Sequence, residues 1–113
     1  MPDLTDDQRE RLARAAGYMI NADGYWMKGA PAFMWQVDGP PEVSTDELFW
    51  LLDRLYPDGH RLEFNPTTAE VIWYTFDVAE QPGYRCVAAE YTRRLALERA
   101  VLAGLEKEAE DGA

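Results

Sequence analysis

A chain of 113 residues has room for one hydrophobic core of ordinary size. Its 47% hydrophobic content is too high for a disordered segment, even one with 28% charged residues. The balance of 11 Lys and Arg against 21 Asp and Glu gives a net charge of −10, which opposes binding to nucleic acid or to an anionic membrane surface.

An excess of acid on that scale suits solubility, a basic protein partner, or mimicry of a polyanion. Cys86 is the single cysteine, so no disulfide forms within the chain. Met1-Pro2-Asp3-Leu4 leads into acids rather than into a basic and then apolar stretch, unlike a signal peptide. No apolar run approaches the roughly 18 residues that span a membrane. The expectation is a cytoplasmic protein with no membrane contact.

The first helix is expected from Thr5-Asp6-Asp7-Gln8, which has the spacing of a capping box with acids in the first turn. Leu12, Ala16 and Met19 repeat at helical spacing; the helix ends near Gly17 or runs on to about Ile20. Asn21-Ala22-Asp23-Gly24 is a turn. Tyr25-Trp26-Met27 and Phe33-Met34-Trp35-Gln36-Val37 are strand-like, with a hairpin closed by Lys28-Gly29-Ala30-Pro31, and Asp38-Gly39-Pro40-Pro41 stops the second strand. Ser44-Thr45-Asp46-Glu47 is a second capping box, followed by Leu48, Leu51, Leu52 and Leu55 in helical register. Pro57-Asp58-Gly59 ends that helix.

Three strands follow. Arg61–Phe64 alternates, Asn65-Pro66-Thr67-Thr68 turns, and Ala69–Asp77 is rich in β-formers. A short turn there sets Phe64 opposite Ala69 and Leu62 opposite Val71, with Leu62, Phe64, Val71 and Trp73 on one face. Gln81-Pro82-Gly83 turns into a strand from Tyr84 to Tyr91. Thr92 caps a last helix whose inner face holds Leu97, Ala100, Val101, Gly104 and Leu105. Residues 1–4 and 107–113 are expected to fray. The fold class is α+β: one domain spanning 1–113, an antiparallel sheet of three to five strands with helices packed on it as a helix/sheet/helix sandwich. The apolar run Val71–Phe76 fits a strand covered on both faces.

Pro41-Glu42-Val43-Ser44-Thr45-Asp46 before a Leu- and Trp-rich helix resembles the phage ABA-sandwich domain. Thr92-Arg93-Arg94-Leu95-Ala96-Leu97-Glu98-Arg99-Ala100-Val101-Leu102-Ala103 is similar to that family's terminal helix. The resemblance covers roughly residues 41–105. It implies a three-layer helix/sheet/helix fold and a phage or prophage origin, and it implies no activity or catalytic residues.

Several groups invite a chemical reading. His60, the one histidine, reads as an exposed turn residue, because neither a metal site nor a base assembles around it in sequence. Cys86 reads as a buried strand thiol, with Arg85 pointing to the opposite face. Glu63 and Glu70, opposed in the expected hairpin, form an acid pair that either joins a cation or is relieved by Arg61 or Arg85. Tyr25, Trp26, Phe33 and Trp35 either fill one end of the sheet or anchor a partner. Arg93, Arg94 and Arg99 form a basic spot at a helix start, where an anion or nearby acids would sit.

No P-loop, dinucleotide fingerprint, calcium loop or nucleophile elbow is present in the sequence. The leading expectation is therefore a non-enzymatic interaction or accessory protein with no cofactor. It would act on a protein partner, a basic host factor for instance, through its acidic surface and the aromatic and arginine groups Tyr25, Trp26, Phe33, Trp35, Arg93 and Arg94. A homodimer through a strand edge or the Trp hairpin is compatible with this. The alternative is a nucleotide-like small-ligand binder that clasps its ligand between Trp26, Trp35 and an arginine. A hydrolase or lyase built on Glu63 and Glu70 is the weakest reading.

Overall fold

The computed structural model describes residues 4–28, 33–35, 40–68 and 71–111, with backbone alone for 28 and 33–35. The fold is α+β, with three helices and two antiparallel three-stranded sheets among the described residues. The chain divides into two compact units, Met1–Glu47 and Leu48–Ala113, so the strands form two sheets rather than one.

In the first unit, α1 spans Asp6–Ala15. Thr5 Oγ1 accepts from the Gln8 amide at 3.2 Å and Gln8 Oε1 accepts from the Thr5 amide at 2.9 Å, the reciprocal pair that the Thr-x-x-Gln spacing encodes. The helix stops before Gly17, whose φ of 101° is open to glycine and strained for other residues. Three short strands follow: β1 (Met19–Ile20), β2 (Trp26–Lys28) and β3 (Phe33–Trp35). Asn21 Oδ1 accepts from the amides of Asp23 and Tyr25, which ties the β1–β2 turn to its own side chain. Strand β1 falls where a helix end or a turn was expected, because two residues are too short to show alternation. The expected loop residues Gly29, Ala30 and Pro31, and Asp38 and Gly39, lie outside the described residues. Among the described residues, Leu4, Leu12, Ala13, Ala16, Trp26 and Val43 are the buried apolar residues of this unit. Leu4 is thus held inward, although it falls in the stretch expected to fray.

The unit boundary crosses the first turn of α2 (Thr45–Leu55). Ser44 Oγ accepts from the Glu47 amide and Glu47 Oε1 accepts from the Ser44 amide, and Tyr18 Oη donates to the same carboxylate at 3.3 Å.

The second unit is a meander, β4 (His60–Pro66), β5 (Ile72–Glu80) and β6 (Gly83–Glu90), with α3 (Arg93–Asp111) packed on β5 and β6. Thr92 Oγ1 accepts from the Leu95 amide, as expected of a cap, and α3 continues to Asp111 through the acidic stretch. The fully buried Phe76, Leu48, Leu51, Leu52, Leu97 and Val101 form its centre. Phe76 is ringed by Tyr56, at 5.8 Å between centroids, and by His60, stacked at 5.2 Å.

The β4–β5 register differs from the expected one. Leu62 faces Phe76, Glu63 faces Thr75 and Phe64 faces Tyr74, so β4 runs on to Pro66. The displacement is an odd number of residues, which reverses the face of every side chain on one strand. Trp73 therefore lies with Asn65 on the face away from Phe64. Glu63 and Glu70 are not opposed: Glu63 faces Thr75 and pairs with Arg61 at 3.1 Å, while Ala69 and Glu70 lie outside the described residues.

A bulge opposite Phe76 and Asp77 leaves Val87 as the extra residue of β6. It moves Cys86 off the α3 face, so the thiol sits exposed across from Asp77 rather than buried. The face of the sheet away from α3 is not apolar. It carries Arg61, Glu63, Asp77, Cys86 and Tyr84, and Trp73 and Tyr84 on it are 39% and 52% exposed. The apolar run Val71–Phe76 is thus covered at its Phe76 end and open at its Val71 end.

Candidate functional site

The residues singled out from the sequence separate in the structure. Trp26 is 5% exposed, and the Arg14 guanidinium lies 5.6 Å from its ring centroid, a cation–π lid over a core side chain. Tyr25 is half-buried. The side chains of Phe33 and Trp35 lie outside the described residues. A clasp that needs an open Trp26 ring is not what this placement offers.

Arg93 is exposed at the start of α3, while Arg94 pairs with Glu98 at 3.6 Å and Arg99 with Glu90 at 3.4 Å. The Arg99 Nε is buried and lacks an aligned hydrogen bond, so its link to Glu90 is charge proximity alone. Two of the three arginines thus neutralise local acids, the plainer of the two readings.

His60 is not an exposed turn residue. It begins β4, only 17% of its side chain is exposed, and its Nε2 lies 2.8 Å from Asp53 Oδ1. Stacking on Phe76 and the link to α2 give it a structural task that sequence adjacency to Gly59 concealed. Among the described residues no group of three or more His, Cys, Asp or Glu is placed to hold a metal ion.

On the open face of the second sheet, Asp77 is the buried charged residue, 8% exposed. Arg61 reaches it with Nε at 3.5 Å, pairs with Glu63, and lies 4.2 Å from the Tyr84 ring centroid. This cluster neutralises a buried acid from a half-exposed cation. An open depression of about 670 Å³ lined by Asp58, Ala79, Glu80 and Gln81 lies at the opposite end of β5, where Glu80 is held by Arg85 at 2.8 Å.

Among the described residues, four large apolar side chains are left exposed at the far end of the β4–β5 hairpin. Phe64 is 56% exposed, and Val71, Ile72 and Trp73 are each 39% exposed. β6 ends opposite Tyr74, so the pairs Asn65–Trp73 and Pro66–Ile72 project past the third strand. Alternation sets Phe64 and Ile72 on one face of this ribbon and Trp73 on the other. The Phe64 ring meets Tyr74 edge-on at 5.6 Å, which fixes it in the exposed position. Thr67 holds the turn, its amide and hydroxyl both donating to the Val71 carbonyl.

Sequence reasoning missed this site because the register error put Trp73 beside Phe64 under a covering helix. The signal was present: a continuous apolar run longer than the strand that could pair with it. A second exposed aromatic, Trp50 on α2, is partly occupied by Arg54 at 5.5 Å from its ring centroid.

No protein-family model, curated protein or solved structure matches this chain.

Proposed function

We propose that this chain is a non-enzymatic protein-interaction or accessory protein of phage or prophage origin. The apolar end of the β4–β5 hairpin is its docking surface, and the net acidity of the chain selects a basic protein partner. The observation that carries this reading is the exposure of Phe64, Val71, Ile72 and Trp73 on a ribbon that outruns its third strand. Clustered large side chains left in water mark an interaction surface more often than chance exposure does, and Trp and Phe are the residue types that anchor interfaces. The net charge of −10 supports the basic partner, because complementary potentials speed encounter and reject acidic competitors. The resemblance of residues 41–105 to the phage ABA-sandwich domain supports the origin.

A photo-reactive phenylalanine analogue in place of Trp73 tests the reading in cell extract. The expected result is one dominant protein adduct, weakened at about 1 M salt, where the Debye length is about 3 Å. The same analogue in place of Tyr18, distant in sequence from the hairpin, is the control. An adduct pattern identical at the two positions, or none at Trp73, overturns the reading.

A further inference from the structure

We infer that β4 is a self-pairing edge: two copies of this chain associate antiparallel through it, in the register that sets Leu62 against Leu62. The sheet order leaves β4 with a partner on one side only among the described residues. Which of its backbone groups face outward follows from two hydrogen bonds. Ala79 donates to the Gly59 carbonyl at 2.9 Å and Thr67 donates to the Val71 carbonyl at 3.0 Å, so odd-numbered residues turn their amides and carbonyls toward β5. The register is uniform from His60 to Pro66, and alternation therefore turns the N–H and C=O groups of His60, Leu62 and Phe64 to the free edge. That row is a template for another strand.

The other edge is a poorer template. β6 carries the bulge at Val87, and a bulge breaks the regular spacing that a new partner must match.

The charge pattern along β4 selects the register. In a two-fold antiparallel pair centred on Leu62, His60 meets Phe64 and Arg61 meets Glu63, twice over. The outward-facing residues form the hydrogen-bonded pairs. The Arg61–Glu63 contacts then fall in the closer, non-bonded positions, where opposite charges stabilise most. Centring one residue later sets Glu63 against Glu63 and asks Pro66, which has no N–H, to bond His60. Centring one residue earlier sets Arg61 against Arg61. Arg61 and Glu63 already pair within the strand, and at 47% and 43% exposed they can extend that pairing to a second copy. The pairing would also cover Phe64, 56% exposed, against His60. This inference shares Phe64 with the docking surface proposed for the hairpin end but does not use Val71, Ile72 or Trp73, so a Trp73 crosslink and the association of two copies report on the two proposals separately.

Sedimentation equilibrium of the full chain tests it, at about 0.15 M salt, where screening over about 8 Å mutes the mutual repulsion of two acidic chains. The wild type is expected to show a monomer–dimer equilibrium in the high-micromolar range. Glu63→Arg sets like charges face to face at two places and is expected to weaken association about tenfold or more. Mixing it with Arg61→Glu restores both pairs in a heterodimer, and association recovers. Arg61→Glu also places an acid beside Asp77, and it enters the mixture only if circular dichroism shows it folded. Phe64→Pro decides the matter otherwise: it removes an outward N–H and an exposed side chain, leaves the bonds to β5 intact, and is expected to weaken association about tenfold. A wild-type chain that stays monomeric at millimolar concentration overturns the inference. So does a dimer indifferent to both Glu63→Arg and Phe64→Pro, and a folded mixture that recovers nothing overturns the register.

Discussion

Tyr56 shows how a single polar atom is held in the second unit. Its hydroxyl donates to the Ala100 carbonyl at 2.8 Å, and its ring leans on Phe76. Burial pushes the phenol above the ordinary tyrosine value, an effect the Arg85 guanidinium partly opposes. The folded chain therefore keeps this proton at a pH where the unfolded chain has lost it. That stabilisation is complete below the unfolded value and declines as pH rises through the folded one. Urea midpoints are expected to fall on going from about pH 9 to about pH 11, and Tyr56→Phe should flatten that dependence while costing about 1 kcal/mol at neutral pH.

Cys86 is the converse case, an apolar-looking residue set on an open face. It is expected to react fully with a thiol reagent without denaturant; protection until unfolding would contradict the bulge placement. The identity of the bulge residue was invisible in sequence, because Val87 has nothing that distinguishes a paired strand residue from an unpaired one.

Among the elements, those with a local chemical signature were legible. The boxes at Thr5 and Ser44 and the cap at Thr92 each placed a helix start to within a residue or so. Ser44→Ala is expected to cost about 1 kcal/mol in a denaturant titration. Gly104 was legible as a packing position, and the structure gives the reason. A Cβ there would lie 3.0 Å from Leu55 Cδ1 and 3.1 Å from the Tyr56 hydroxyl, so α3 approaches the end of α2 only where the side chain is missing. Gly104→Val is expected to lose about 1–3 kcal/mol despite the better helix propensity of valine, read as a lower thermal midpoint.

The hairpin register was not legible. Asn65-Pro66-Thr67-Thr68 offers turn residues in sequence, yet β4 runs through to Pro66 and sets Leu62 opposite the fully buried Phe76. Long-range burial won over local turn chemistry, and the candidate docking site followed from that outcome.

At the scale of the whole molecule, composition bounded the answer without naming it. The order of helix and strand signals reads as α+β, and the α+β architecture is what the elements form. No described helix is long and apolar enough to cross a membrane. The division into two units was hidden, because the boundary falls inside the strongest helix signal in the chain, between Glu47 and Leu48. The aromatic residues then sort by unit: Trp26 is spent on the core of the first, and Trp73 is left at the hairpin end of the second.

Everything proposed for function rests on that sorting, and quenching of tryptophan fluorescence by acrylamide reads it directly. Chains retaining Trp73 alone or Trp26 alone, the other tryptophans replaced by phenylalanine, give the comparison. Trp73 is expected to emit at long wavelength and quench readily in the monomer, with Trp26 blue-shifted and protected. A protected Trp73 beside an accessible Trp26 would return the docking surface to the first hairpin and contradict the account.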